Sequence, residues 1–386
     1  MRMLHTSDWH LGRTLHGVDL LGHQADFLDH LVEVVRAERV DAVVVAGDVY
    51  DRAVPPVEAV TLLSDVLARL TEHATVVLTS GNHDSATRLG FGAELMRERV
   101  RLRTRVARLH EPVEVADVLV YGLPYLDPDT VRADLVETGP DGETVVPARS
   151  HEAVTTAAMQ RVRRDAQGRA ARRVVVAAHA FVTGGEPSES ERDIRVGGVD
   201  QVPAGVFAGV DYVALGHLHG PQRVPGPDGT VLRYSGSPLA YSFSEQHHTK
   251  STVLVDLSGA EPRTALLSAP VPRRLADVTG PLDDLLGPAG DPHAGDWVRV
   301  TVTDAARPDD LYRRVRQRFP HALVVQHVPA DPRPGPQRVT AVTPAQDPLD
   351  VCAQFLVHVT GRGPDDAERA VLHRAYEHVA AEERSA

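Results

Sequence analysis

The chain has 386 residues and a formal net charge of -12. Its length suits two or three domains, and its acidity excludes a protein that coats nucleic acid by net attraction alone. A single cysteine, Cys352, excludes an internal disulfide and any cysteine-based zinc cluster. No run reaches the roughly 18 apolar residues of a membrane span, and no basic segment followed by an apolar one precedes the first strand-like stretch, so the expected compartment is the cytoplasm.

Taken in order, Arg2 to Ser7 reads as a strand that ends at Asp8-Trp9-His10. Leu20 to Arg39 carries Leu20, Phe27, Leu28, Leu31, Val34 and Val35 at helical spacing, and returns the chain to a second strand, Val40 to Ala46. That strand ends at Gly47-Asp48-Val49-Tyr50-Asp51. A second helix, Val57 to Leu70, leads to the strand Ala74 to Leu78 and then to Thr79-Ser80-Gly81-Asn82-His83-Asp84. Alternating strands and helices predict a parallel sheet covered by helices.

Ala86 to Arg97 reads as a helix, and Val100 to Arg108 as a strand with Arg101, Arg103 and Arg105 on one face. Such a stripe suits phosphate, and equally suits the solvated face of an edge strand. Val113 to Leu123 continues as strand, Asp127 to Ser150 as a surface connection, and His151 to Arg172 as a helix with a basic end. Val174 to Ala178 delivers His179, Thr183 to Gly198 reads as a flexible loop, and Tyr212 to Leu215 delivers Gly216-His217-Leu218-His219.

Strands resume near Val231 and at Thr252 to Leu257, and Pro270, Pro272 and Pro281 mark a domain boundary. Beyond it, Trp297 to Val302, Pro308 to Phe319 and Ala322 to Val328 predict a small α+β unit, followed by a turn or linker at Asp331 to Gly335. Two helices, Pro348 to Thr360 and Pro364 to Glu383, flank Gly361-Arg362-Gly363. Lys250 is the only lysine.

Five apolar runs thus end in Asp, Asn or His, which scattered core histidines would not do. Asp8 and His10 are two apart, as are His217 and His219, so each pair points one way from extended backbone and can reach one ion. The set Asp8, His10, Asp48, Asn82, His179, His217 and His219 is too large for one tetrahedral ion and suits two ions bridged by a carboxylate, with Asp48 the best placed bridge. Mixed imidazole and oxygen donors favour Mn²⁺, Fe²⁺ or Zn²⁺ over Mg²⁺. His83 is left as an imidazole that Asp84 would orient. Trp9 is expected to pack over the site, and His5, His16, His23 and His30 to serve packing or surface roles.

In this order the motifs Asp8-x-His10, Gly47-Asp48-x-x-Asp51, Gly81-Asn82-His83-Asp84, His179 and Gly216-His217-x-His219 resemble those of calcineurin-like metallophosphoesterases. Within that superfamily, Leu4 to Gly12, Tyr234-Ser235-Gly236-Ser237-Pro238 and Ser242-Phe243-Ser244-Glu245 resemble the SbcD-type nuclease subunits. The resemblance implies an α/β metallophosphoesterase sheet sandwich flanked by helices over residues 1–270, then a small α+β capping domain over 271–345 and two C-terminal helices over 346–386 that dock a partner. It implies Asp8, His10, Asp48 and His219 on one ion, and Asp48, Asn82, His179 and His217 on the other, with Mn the expected metal.

His83 would stabilise the transition state or protonate the leaving oxygen, held by Asp84. Archaeal and eukaryotic relatives carry a second catalytic His where this chain has Asp51, which puts a general-acid role there in doubt. The implied activity is 3′→5′ exonuclease and endonuclease cleavage of DNA ends and hairpins, by a homodimer working with an SbcC-type SMC-like ATPase. No Gly-x-x-x-x-Gly-Lys-[Ser/Thr] loop is present, so ATP binding would come from that partner. A stand-alone phosphatase or cyclic-nucleotide phosphodiesterase, and a non-catalytic DNA-end scaffold, are the competing readings.

Overall fold

The computed structural model describes residues 1–96, 99–138, 142–169, 173–195, 201–330, 347–360 and 362–383. Its longer strands are β1 (Arg2–Thr6), β2 (Ala42–Ala46), β3 (Thr75–Thr79), β4 (Val100–Arg103), β5 (Val113–Val115), β6 (Val118–Gly122), β7 (Arg173–His179) and β8 (Tyr212–Gly216). They continue with β9 (Gln222–Val224), β10 (Val231–Tyr234), β11 (Ser251–Asp256), β12 (Arg263–Ser268), β13 (Leu275–Gly280), β14 (Trp297–Val302) and β15 (Ala322–His327). The main helices are α1 (Leu21–Ala37), α2 (Val57–Thr71), α3 (His151–Gln167), α4 (Leu311–Arg318), α5 (Pro348–Thr360) and α6 (Asp366–Glu383).

One sheet has the order β12-β11-β1-β2-β3-β4, and a second has β9-β10-β8-β7-β6-β5. The side-chain period of two makes a sandwich of them. In β2, Val43 and Val45 pack toward α1 and α2, where Phe27, Leu31, Leu63 and Val66 meet them. Ala42 and Val44 join Val175, Ala177, Tyr212 and Ala214 of the second sheet in a shared core between the sheets. The far face of the second sheet is covered by α3 through Val154, Ala158, Met159 and Val162. Strands buried on both faces read as continuous apolar runs, as β2 does.

Parallel pairing of β1, β2 and β3, and of β7 and β8, brings their carboxyl ends to the same edge of their sheets. That edge is where open α/β sheets bind ligands. The parallel sheet β13-β14-β15 and α4 form a separate core around Val298, Val300, Val315 and Phe319. A further cluster of Leu15, Leu20, Leu239, Tyr241, Phe243, Leu275 and Trp297 joins this unit to the first.

Several expected elements are shorter than their patterns suggested. The helix expected from Ala86 runs only to Leu89, because Gly90 and Gly92 stop propagation and the chain turns. β4 ends at Arg103, so Arg105 leaves the stripe and pairs with Glu94 while the Arg103 Nε donates to the Glu111 carbonyl. The connection from Asp127 to Ser150 holds a short helix, Pro128–Val131, and the short pairing of Glu137–Thr138 with Thr144–Val145. α3 stops at Gln167, and Arg172, residues 196–200 and the Asp331 to Gly335 turn lie outside the described residues. His5 is fully buried, its ring nitrogens meeting the Tyr212 hydroxyl and the Leu215 carbonyl. No helix among the described residues is long and apolar enough to cross a membrane.

Candidate metal centre

The residues singled out at the strand ends converge at the sandwich edge. Asp8 and His10 follow β1, Asp48 follows β2, Asn82 and His83 follow β3, His179 ends β7, and His217 and His219 follow β8. Asp8, His10, Asp48 and His217 all have positive φ, at 53°, 46°, 48° and 104°. Non-glycine residues persist in this region only where the surroundings over-determine them, so the fold spends stability to aim these side chains. Asp8 N–H donates to the Gly47 carbonyl at 3.1 Å and His10 N–H to the Asp48 carbonyl at 3.0 Å, which locks the first two loops together. The buried Gln24 braces the turn, donating to the Trp9 and His10 carbonyls and accepting from Gly12 N–H.

Donor atoms about 2.1 Å from one ion lie about 3.0 Å apart at octahedral angles and about 3.4 Å apart at tetrahedral ones. Asn82 Oδ1 is 2.8 Å from His179 Nε2 and 3.2 Å from His217 Nδ1, and Asp48 Oδ2 is 3.4 Å from His179 Nε2. On the other side, His10 Nε2 is 3.2 Å from His219 Nε2 and 3.6 Å from Asp48 Oδ2, and Asp8 joins that group. Asp48 therefore stands between two donor sets with the spacing of ligands around two ions.

Proton accounting points the same way. His179 Nδ1 meets the Ala46 carbonyl at 2.9 Å and must donate there, which leaves the neutral ring's Nε2 lone pair facing the Asn82 oxygen. Two acceptors at 2.8 Å need a cation or a proton between them. Burial opposes a charge on His179, but the Asp48 carboxylate outweighs it and carries the imidazole up to about 9. Burial likewise opposes the Asp48 charge, yet His179 foremost and then His10 and His83 hold that carboxyl well below its usual range. Burial pushes Asp8 up to about 6, drives His10 down to about 3 and holds His217 well below the ordinary imidazole value. The Asn82 amide nitrogen and His10 Nδ1 are buried without a hydrogen-bond partner.

His83 stands at the margin, its Nε2 4.0 Å from Asp48 Oδ2. Its Nδ1 meets the Asp51 carbonyl at 2.8 Å and its backbone N–H donates to Asp48 Oδ1, so the free nitrogen faces the cluster. His83, His10 and Asp48 also lie close enough to form a ligand group of their own. Asp84 does not orient the His83 ring. Its carboxylate accepts from the backbone N–H of Gly81, Val49 and Tyr50 at 2.9, 3.1 and 2.9 Å, which ties the β2 and β3 loops together. Burial, with repulsion from Asp48 second, pushes Asp84 up to about 7. Asp51 places its Oδ1 3.6 Å from His10 Nδ1 and 3.3 Å from an Arg13 nitrogen. Trp9 is wholly buried in the core beside α1 and α2, with its Nε1 donating to Thr6 Oγ1.

The pattern reading missed the groups behind His219. Glu245 is fully buried and paired with Lys250, and Ser190 and Glu191 come from the 183–195 loop. Glu245 had entered only as part of the Ser242-Phe243-Ser244-Glu245 likeness, with no role beside His219, and Lys250 only as the chain's single lysine.

The calcineurin-like phosphoesterase family matches residues 1–221, more than half of the chain. A second match, over residues 271–360, is to the type 5 capsule protein repressor C-terminal domain, the SbcD C-terminal module. Similar solved structures include TT1561 of Thermus thermophilus, 16% identical, covering 69% of this chain and 98% of that one with a TM-score of 0.39. GAP50, the anchor in the inner membrane complex of Plasmodium, is 11% identical and covers 69% of this chain and 84% of that one, with a TM-score of 0.41. A dimetal phosphatase from Danio rerio is 14% identical and covers 69% and 99%, with a TM-score of 0.38. The family and the clustered His and Asp side chains support a phosphoester hydrolase that uses divalent metal. The chain belongs to the calcineurin-like phosphoesterases, and its second domain is consistent with an SbcD-type nuclease subunit.

Proposed function

We propose that the chain is the Mn²⁺-dependent nuclease subunit of an SbcCD-type complex, cleaving DNA ends and hairpins as 3′→5′ exonuclease and endonuclease in DNA repair and recombination. The observation that carries this reading is the pair of donor sets sharing Asp48, in a chain that also holds the SbcD C-terminal domain. Asp8, His10, Asp48 and His219 hold one ion, and Asp48, Asn82, His179 and His217 the other. A pair of divalent ions supplies Lewis-acid charge to both sides of an in-line displacement at phosphorus.

The protein's part is to place the phosphate and move one proton. His83 keeps its Nδ1–H on the Asp51 carbonyl, so the proton it transfers to the leaving oxygen sits on Nε2. Asp84 acts through the loop backbone rather than through the imidazole.

Two exposed apolar surfaces support the assembly. Val54, Val57 and Val60 near the start of α2, with Phe91 and Leu95 beyond β3, are exposed, and Arg88 ties their segments by donating to the Ala53 carbonyl. This face suits a homodimer. Phe355 and Val357 on α5 and Val371 and Tyr376 on α6 are also exposed and suit docking to the coiled-coil base of an SMC-like ATPase. On this reading residues 1–270 form the nuclease domain, 271–345 a capping domain beside DNA and 346–386 the docking element, and the complex works in the cytoplasm.

The test is to incubate the purified chain with Mn²⁺ and either hairpin DNA or a chromogenic phosphodiester. Hairpin cleavage supports the reading, and hydrolysis of the small ester alone favours a stand-alone phosphodiesterase. Deleting 346–386 should leave hydrolysis nearly unchanged and abolish co-purification with the ATPase; retained co-purification would refute the docking assignment.

A further inference from the structure

We infer that Glu245, acting through Ser190, is a positioning residue that fixes the tautomer and aim of His219. The inference rests on the reading of His219 as a metal ligand and adds what holds it there. His219 turns Nε2 toward His10 and Asp8, and its Nδ1 lies 2.7 Å from Ser190 Oγ and 3.4 Å from Glu245 Oε1. Ser190 Oγ lies 2.5 Å from Glu245 Oε1. An ionised carboxylate only accepts, so the one Ser190 hydrogen lies on that contact. Ser190 must then accept from His219 Nδ1–H. The neutral ring that results has its lone pair on Nε2, where an ion would take it. Ligand histidines are commonly fixed by a carboxylate at the other nitrogen, and here a serine hydroxyl stands between the two.

Glu245 is built to stay in place and ionised. Its other oxygen accepts from Lys250 Nζ, and Lys250 also donates to the His219 carbonyl and to Ser237 Oγ, at 2.9 Å each. Both charges are buried, Glu245 at 0% and Lys250 at 2% side-chain exposure, so each depends on the other. The turn Phe243–Glu245 is anchored from the small sheet as well. Gln246 and Asp277 exchange two hydrogen bonds, and Phe243 packs with Leu275 and Trp297. Ser190 arrives from the 183–195 loop, whose Ser190 carbonyl accepts from Arg13 and whose Glu191 accepts from His219 N–H.

The experiment measures Mn²⁺ uptake by the full chain with calorimetry and electron paramagnetic resonance. The parent should bind two ions with a coupled-pair spectrum. Ser190→Ala should weaken one ion by about 10–100-fold, the scale for loss of a group that supports a ligand. The other ion should stay near parental affinity, and the spectrum should become that of isolated Mn²⁺. Ser190→Thr, which restores the hydroxyl, should recover the pair. Glu245→Gln with Lys250→Met removes both buried charges together, so a folded protein is expected, and it should weaken the same ion. If Ser190→Ala keeps both ions, or loses both equally, the inference is overturned while the metal reading stands. A parent chain that takes up no Mn²⁺ overturns the metal reading and this inference with it.

Discussion

Replacing Gly81 by alanine tests whether the centre depends on the close approach of the β2 and β3 loops. A Cβ on Gly81 would lie 2.1 Å from Asp48 Oδ1 and 2.3 Å from Asp48 N, against a floor near 3.0 Å for real Cβ contacts. The obstacles are a backbone nitrogen and a buried carboxylate, so one loop must retreat by about 1 Å. A misplacement of that size in a catalytic constellation costs about 10²-fold in rate, and the overpacking costs about 1–3 kcal/mol in stability. The retreat also strains the Gly81 N–H bond to Asp84. The assay is the initial rate on a chromogenic phosphodiester with Mn²⁺, beside metal content and thermal melting. Gly205→Ala is the control, because nothing lies within 4 Å of its added Cβ, and it should match the parent. Parental turnover in Gly81→Ala with two ions bound would refute the view that loop contact sets the Asp48 position.

His83→Ala should keep both ions bound while turnover falls by about 10²–10⁴, the scale of a positioned acid or base; loss of an ion with the fold intact would show His83 to be a ligand with His10 and Asp48. Asp84→Ala strips the acceptor from the N–H groups of Gly81, Val49 and Tyr50, each buried donor left unpaired costing about 1–3 kcal/mol. Its melting temperature should fall well below that of Asp84→Asn, which keeps one acceptor oxygen, and equal melting would count against the brace. His179, faced by Asp48, Asp8 and His217, is raised from 6.5 to about 9, so its charge stabilises the metal-free fold fully below pH 6.5 and this contribution is lost as pH rises through about 9. Metal needs the bare Nε2, so uptake near pH 7.5 should release about one proton and affinity should rise toward pH 9; calorimetry in buffers of different ionisation enthalpy reads this, and uptake with no proton release would contradict it.

What the sequence showed of the site was its local part. Each candidate ligand ends a strand or lies within four residues of its end, and a strand end is a local event, so Asp8, Asp48, Asn82, His179 and His217 could be read one strand at a time. The pairing of two sheets could not be read in this way. β2 and β7 have similar apolar runs, and nothing in either says that Val44 meets Val175 across a shared core. Only the motif resemblance suggested the sandwich. The Arg101, Arg103 and Arg105 stripe failed because strand periodicity was extended past the point where β4 ends.

The supports of the centre stayed hidden because they are polar groups that read as surface until their partners are known. Asp84 follows His83 directly, and adjacency suggested a ring contact; its carboxylate instead reaches Val49 and Tyr50, residues of another loop. Glu245 and Lys250 lie in a stretch rich in Ser and His whose composition predicts exposure. They are buried because two opposite charges can leave water together where one cannot, and because the Phe243 turn is packed under Leu275 and Trp297. The resulting chain of contacts runs from Asp277 through Gln246, Glu245 and Ser190 to His219. It joins β13 of the small sheet to the side chains behind His219 through hydrogen bonds and one peptide link, so the packing of the second unit helps to fix where Glu245 stands.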